Sequence, residues 1–259
     1  MKKWKDNVYF ILVEPKEPGN IGAAARAMKN MDFRNLCLVN PPPFQTDEAR
    51  LFAHGATDIL KSVKVYTSLK DAIGDKHYVA GTSRRRGRRR GVFTPVERGT
   101  QRLFEVAQNN KIAVLFGRED KGLFNNEIEE CGFLMTVPAS RKQPSLNLAQ
   151  AVLIIAYEIS KAGTKGAGPK GNGKSDHDNL LFADPQKLVT QEKLSHLYGK
   201  IERAFKMIDY IPKNEKVSNK KIMLNLKHCL SRGGLSDWEF NMFHAICNKI
   251  EKKIGNEKG

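Results

Sequence analysis

Hydrophobic positions in the first 160 residues fall into short runs separated by longer mixed stretches. "VYFILV" (8–13), "LCLVN" (36–40), "VKVY" (63–66), "HYVAG" (77–81), "IAVLFG" (112–117) and "FLMTV" (133–137) are β-branched or apolar almost throughout and read as strands. Between them, residues 20–30, 47–60, 68–74, 96–109, 123–130 and 146–161 carry helix-like patterns. Near-continuous apolar strands alternating with helices predict one α/β domain over residues 1–161. Its parallel sheet should be covered on both faces.

"KAGTKGAGPKGNGKS" (161–175) then breaks the pattern with five glycines, four lysines and a proline. Such a segment has nothing to bury and predicts a flexible basic linker over 162–185. Beyond it, 190–209 and 216–254 return to helical spacing, as in Leu194, Leu197, Ile201, Ala204, Phe205 and Ile208. These residues predict a small helical domain over 186–259, flexibly tethered.

The linker holds two literal motif matches. "GPKGNGKS" (168–175) fits the phosphate-binding pattern G-x-x-x-x-G-K-[ST], and "GAGPKG" (166–171) fits G-x-G-x-x-G. Both need a strand before the loop and a helix after it, so that backbone amides converge on phosphate. Here a helix precedes and "DHDNLLFADP" follows. Both matches are rejected as products of composition.

Charge narrows the function classes. The 44 Lys plus Arg against 28 Asp plus Glu give a net charge of +16, which implies a polyanionic partner, nucleic acid before an anionic membrane. No stretch approaches the roughly 20 apolar residues needed to span a bilayer. The N-terminal apolar run is too short for an export signal. Cys37, Cys131, Cys229 and Cys247 lie far apart with no C-x-x-C pair, and read as buried thiols of a reducing cytoplasm. A zinc site drawn from His228, Cys229, His244 and Cys247 is the weaker reading beside helical cysteines facing a core; no metal is expected.

Three stretches of the α/β domain carry polar residues that folding alone does not demand. In "EPGNIGAAARAMKN" (17–30), Gly19 and Gly22 allow close approach and Asn20 suits a helix cap. Arg26 sits there among small alanines. Its guanidinium is either directed to a site or simply solvated. In "LFGREDKGLFNNE" (115–127), Arg118 and Glu119 follow a strand, where open α/β sheets bind ligands; an ion pair bracing the loop is the alternative. In "VPASRKQPSLNLAQAVLIIAYEI" (137–159), Asn147 falls in the first turn of a long apolar helix, whose free amides favour a polar or anionic group. Ser145 can cap that helix.

In order and spacing these stretches resemble the three motifs of the SPOUT RNA methyltransferases, in the TrmH-like branch that methylates ribose 2′-hydroxyls. The match is carried by Asn20, Gly22 and Arg26; by Gly117, Arg118, Glu119, Gly122 and Leu123; and by Ser145, Leu146, Asn147 and Ala149. Within that branch they look most like the TrmJ group, which modifies cytidine or uridine at position 32 of the tRNA anticodon loop. The resemblance implies that the C-terminal part of the α/β domain forms a deep trefoil knot, an exception to the rule of unknotted chains. It implies a homodimer, and S-adenosylmethionine bound by Thr82, Ser83, Arg84, Leu115, Gly117, Glu119, Val137, Pro144, Ser145 and Leu146. Arg26 would activate the hydroxyl, with Ser145 and Asn147 orienting it. Ribosomal RNA or another tRNA site, or a non-catalytic RNA-binding role for the same fold, are the alternatives.

One feature is denser than the resemblance leads one to expect. "GTSRRRGRRRGVF" (81–93) puts six arginines in the seven residues from Arg84 to Arg90. With Thr82 and Ser83 beside the cofactor, Arg85, Arg86, Arg88, Arg89 and Arg90 read as a clamp on RNA phosphates. Guanidinium forks match phosphate oxygens and position RNA without reading bases.

Overall fold

The computed structural model describes residues 3–84, 93–140, 142–165, 187–211 and 216–256. Seven strands, β1 (Val8–Val13), β2 (Asn35–Val39), β3 (Lys64–Tyr66), β4 (Tyr78–Thr82), β5 (Phe93–Pro95), β6 (Ile112–Phe116) and β7 (Phe133–Thr136), form one sheet in the order β3-β2-β1-β6-β4-β7-β5. Every pairing is parallel, with Val8 opposite Ile112 and Tyr78 opposite the same residue from the other side.

Period-two alternation along the strands divides the core between two faces. Phe10, Leu12, Val114 and Phe116 point to a face covered by α1 (Pro18–Asn30), α5 (Val96–Ala107) and α7 (Leu148–Lys165). Ile11, Val13, Ala113 and Leu115 point to the other, where Ile73 of α4 (Leu69–Ile73) and Ile128 of α6 (Asn125–Ile128) close over them. The predicted two-sided parallel sheet is present. The single helix expected over 47–60 is instead two, α2 (Asp47–Phe52) and α3 (Thr57–Lys61). Gly55 between them has φ +75°, a left-handed conformation that ends a helix.

The edge strand β5 was not expected. It is short and ends in Pro95, a residue tolerated at a sheet edge because an edge strand leaves one row of N–H groups unpaired. Its position matters more than its length. β7 is inserted between β4 and β5, and Ser83 N–H donates to the Met135 carbonyl at 3.0 Å. The chain leaving β7 then returns to α7, which packs on α1 and α5. Helix α7 runs four residues beyond the expected domain end at 161.

Helices α8 (Gln191–Met207), α9 (Lys216–Ser231) and α10 (Asp237–Asn256) surround their own apolar cluster, built on Leu194, Leu197, Ile201, Leu235 and Cys247. These helices are hydrogen-bonded to the α/β domain. Gln191 N–H donates to the Lys76 carbonyl at 2.7 Å, Leu188 N–H to Asn110 Oδ1 at 2.8 Å, and the Tyr78 hydroxyl to the Arg232 carbonyl. These contacts lie at the N-terminal ends of β4 and β6. The two rejected glycine motifs and most of the expected linker lie outside the described residues.

Candidate active site

At the opposite, C-terminal ends of the strands, three segments surround an open cleft. The first is the end of β4, where the Thr82 hydroxyl donates to the Leu115 carbonyl at 2.9 Å and Thr136 Oγ1 donates to the Ser83 carbonyl at 3.3 Å. The second is a tight turn after β6, closed by Gly122 N–H donating to the Arg118 carbonyl at 2.8 Å. Gly122 has φ +66°, and a Cβ on Gly117 would stand 2.1 Å from the Gly122 carbonyl carbon. Glycine at both positions is therefore a requirement of the turn. The third runs from Pro144 to Leu146, ahead of α7.

Nine of the ten residues expected to bind cofactor line this one cleft: Thr82, Ser83, Arg84, Gly117, Glu119, Val137, Pro144, Ser145 and Leu146. Leu115 does not. It is fully buried beneath the cleft, and its carbonyl is taken by Thr82. Phe116, Leu123, Met135, Leu148 and Ala151 supply an apolar lining against the polar residues of the rim. Arg85, Arg86, Arg88, Arg89 and Arg90 lie outside the described residues.

Glu119 joins the second motif to the first. Its carboxylate accepts from Lys16 N–H at 2.9 Å, Glu17 N–H at 3.3 Å and Asn20 Nδ2 at 2.9 Å. Asn20 Oδ1 in turn accepts from Asn147 Nδ2 at 2.8 Å, which brings in the third motif. Asn147 Oδ1 accepts from Ala149 N–H at 2.8 Å and so caps α7. Asn20 is not the helix cap its residue type suggests. Glu17 holds that place in α1, Pro18 takes the first helical position, and the Asn20 side chain is left for the tertiary contact.

Arg26 is exposed on α1 and outside the cleft wall, with no hydrogen bond or ion pair among the described residues. Ser145 is exposed on the rim. The bracing ion pair that the sequence leaves open at Glu119 belongs to Arg118. That side chain is buried; its Nε donates to Glu14 at 2.9 Å, and Nη1 and Nη2 donate to Glu127 at 3.1 and 2.9 Å. Burial works to lower the Arg118 pKa, but the bonds to Glu127 and Glu14 outweigh it and raise the value. Glu14 and Glu127 were missed in the sequence because their partner is about a hundred residues away in one case and on the far side of a turn in the other.

Comparison with known proteins decides the family. The SpoU rRNA Methylase family matches residues 7–157. The chain belongs to it. The SpoU match contains every cleft residue together with Asn20, Arg26 and Asn147. The tRNA (cytidine/uridine/adenosine-2′-O-)-methyltransferase TrmJ of Pseudomonas aeruginosa (strain UCBPP-PA14) is 34% identical over 249 residues, 95% of each chain. The tRNA (cytidine/uridine-2′-O-)-methyltransferase TrmJ of Salmonella choleraesuis (strain SC-B67) is 33% identical over 95% of this chain and 97% of its own. Among solved structures, TrmJ from Z. mobilis ZM4 superposes with a TM-score of 0.75 at 27% identity, covering 94% of this chain and 98% of that one. The likeness of these SpoU relatives thus extends through α8–α10, beyond the segment that the family itself matches.

Proposed function

We propose that this chain is an S-adenosylmethionine-dependent tRNA methyltransferase that modifies ribose 2′-hydroxyls, at cytidine or uridine 32 of the anticodon loop. The observation that carries the reading is the chain of hydrogen bonds from Glu119 through Asn20 to Asn147. It joins three motifs, spread over 128 residues, to one another through Glu119, which lines the cleft. The named activity of relatives similar over nearly the whole chain supports the same reaction here.

The cleft suits a nucleoside cofactor. Its apolar lining accepts a flat base, its polar rim a charged tail, and the Gly117–Gly122 turn brings backbone close. Thr82–Arg84, Gly117–Glu119, Val137 and Pro144–Leu146 would hold it. Bound there, S-adenosylmethionine supplies an already electrophilic methyl group. The residues of the chain then have to hold the ribose hydroxyl in line and stabilise the oxyanion character that grows on it. Arg26 is assigned the second task by polarising the hydroxyl oxygen, since a guanidinium keeps its proton at neutral pH. Ser145 and Asn147 orient the hydroxyl.

The larger assembly follows the same reading. The place of β7 between β4 and β5 in the strand order supports a trefoil knot in the C-terminal part of the α/β domain. Leu153 and Tyr157, exposed four residues apart on α7, support a homodimer that buries that helix face. The docked α8–α10 unit is read as an RNA-holding extension, and the cytoplasm as the compartment.

The test is methyl transfer from radiolabelled S-adenosylmethionine to unmodified tRNA transcripts and to ribosomal RNA, followed by mapping of the protected ribose. Label at pyrimidine 32 is expected. Label only in ribosomal RNA would move the substrate, and RNA binding without transfer would leave a non-catalytic protein of the same fold.

A further inference from the structure

We propose that Glu127 and Glu14, acting through Arg118, are positioning residues that set how tightly the cleft holds its cofactor; this rests on reading the 117–122 turn as part of the cofactor site. Neither carboxylate lines the cleft. Both reach it through one buried guanidinium.

The turn is anchored on two sides. On its outer side, Glu119 and Asp120 bind residues 16–20 through exposed or half-exposed contacts, including the Lys16–Asp120 pair at 2.6 Å. On its inner side, Arg118 is gripped from two other elements. Glu127 of α6 takes both terminal nitrogens, and Glu14, just past β1, takes Nε and Nη2 at 2.9 and 2.8 Å. The guanidinium also lies 3.8 Å from the centroid of the Phe124 ring, and Nη1 reaches the Gly122 carbonyl at 3.4 Å. Glu127 Oε2 additionally accepts from Phe124 N–H at 2.7 Å, so the same carboxylate fixes both the arginine and the chain beyond the turn.

A planar fork held by two carboxylates and a ring face has little freedom to rotate. The backbone carrying it inherits that restriction. A turn with left-handed Gly122 and a close approach at Gly117 has no side chains of its own there to stiffen it. Preorganisation by the inner anchor therefore favours binding, because the ordering cost is met before the cofactor arrives.

The experiment compares wild type, Glu127→Gln and Glu14→Gln by calorimetry with S-adenosylmethionine and with S-adenosylhomocysteine. It also measures methyl transfer at saturating cofactor and thermal unfolding without it. Glu127→Gln should weaken both cofactor forms alike by about tenfold to a hundredfold, with a much smaller change in the rate at saturation. Glu14→Gln, at a half-exposed site, should do the same to a lesser degree and decides the matter if Glu127→Gln does not fold. Unchanged affinity in a folded variant overturns the proposal. So does a loss confined to S-adenosylmethionine, which would mean direct charge interaction with the sulfonium, or a parallel fall in affinity, rate and melting temperature. Failure of wild type to bind either form would remove the cofactor reading itself.

Discussion

Asn147 donates from Nδ2 to Oδ1 of Asn20 at 2.8 Å, across 127 positions of sequence. The direction of this bond is dictated from both ends. Glu119 can only accept, so Asn20 must present its amide nitrogen there and its oxygen to Asn147. Asn147 is then left with an oxygen to cap α7. Asn147→Asp keeps the cap but sets two acceptors against each other at Asn20. It should cost about 1 kcal/mol of stability and slow methyl transfer. Glu119→Gln, able to donate, should restore part of the transfer in the double variant. A double variant no better than Asn147→Asp would show that the hydrogen-bond polarity is immaterial.

The thiols divide unevenly, against the expectation that all four are buried. Cys37, Cys131 and Cys247 are buried, whereas Cys229 is exposed on α9. Burial raises the pKa of each of the three, that of Cys37 to about 11, and so suppresses the thiolate that reacts. A disulfide-exchange reagent at pH 8 should consume one thiol quickly and the rest only on unfolding. Cys229→Ser should abolish the fast phase.

Much of this was legible in the sequence, where the information is local. Apolar runs located six of the seven strands within a residue or two; β1, β2, β4, β6 and β7 are almost wholly buried and have few polar positions to blur them, and of the six only the edge strand β3 is exposed. The resemblance carried by the three motifs placed nine residues that line the cleft. What failed was what depends on partners. Asn20 has a cap's chemistry, yet Pro18 starts α1 earlier and the side chain goes to Glu119. The Glu14–Arg118–Glu127 cluster and the docking of α8–α10 at Tyr78 and Asn110 join distant segments, and periodicity has no access to such pairings.

The interface between the sheet and α8 should weaken in acid. His77 is half-buried there, its Nδ1 accepting from Lys111 N–H at 3.0 Å and its carbonyl accepting from Gln191 Nε2 at 3.2 Å. Burial lowers its pKa below the ordinary 6.5, with the charges of Lys111 and Lys187 acting in the same direction against Asp75. The folded state thus favours neutral imidazole. Its contribution is complete above the unfolded pKa and is lost as pH falls through the folded value. Melting temperature should therefore drop from pH 7 to pH 5, and His77→Gln, which can still accept from Lys111, should flatten that dependence. An equal slope in both proteins would assign the acid sensitivity elsewhere.

The arginine run should set the salt dependence of RNA binding. If Arg85, Arg86, Arg88 and Arg89 neutralise phosphates, log affinity for tRNA should fall linearly with log salt, and replacing all four by Ala should flatten the slope. Cofactor binding should persist, since the cleft is lined by Arg84 but otherwise by residues outside the run. A slope that the substitutions leave unchanged would place the RNA track on another surface.

Arg26 carries the sharpest test of the proposed reaction. It is exposed, outside the cleft wall and without an ion pair among the described residues, so its removal leaves the fold and the cofactor loops untouched. Any penalty should therefore appear in the chemical step. Loss of one contact to a developing oxyanion costs about 10²–10³-fold, so Arg26→Ala should slow single-turnover methyl transfer at saturating tRNA by roughly a hundredfold or more. Melting temperature and cofactor affinity should stay near wild type. Arg26→Lys should recover only part of the rate, because an ammonium keeps the charge but loses the planar fork. Transfer by Arg26→Ala at the wild-type rate would make this an ordinary solvated helix arginine. The task of activating the hydroxyl would then fall to Ser145, which lines the cleft, and to Asn147, which lies in sequence between the lining residues Leu146 and Leu148.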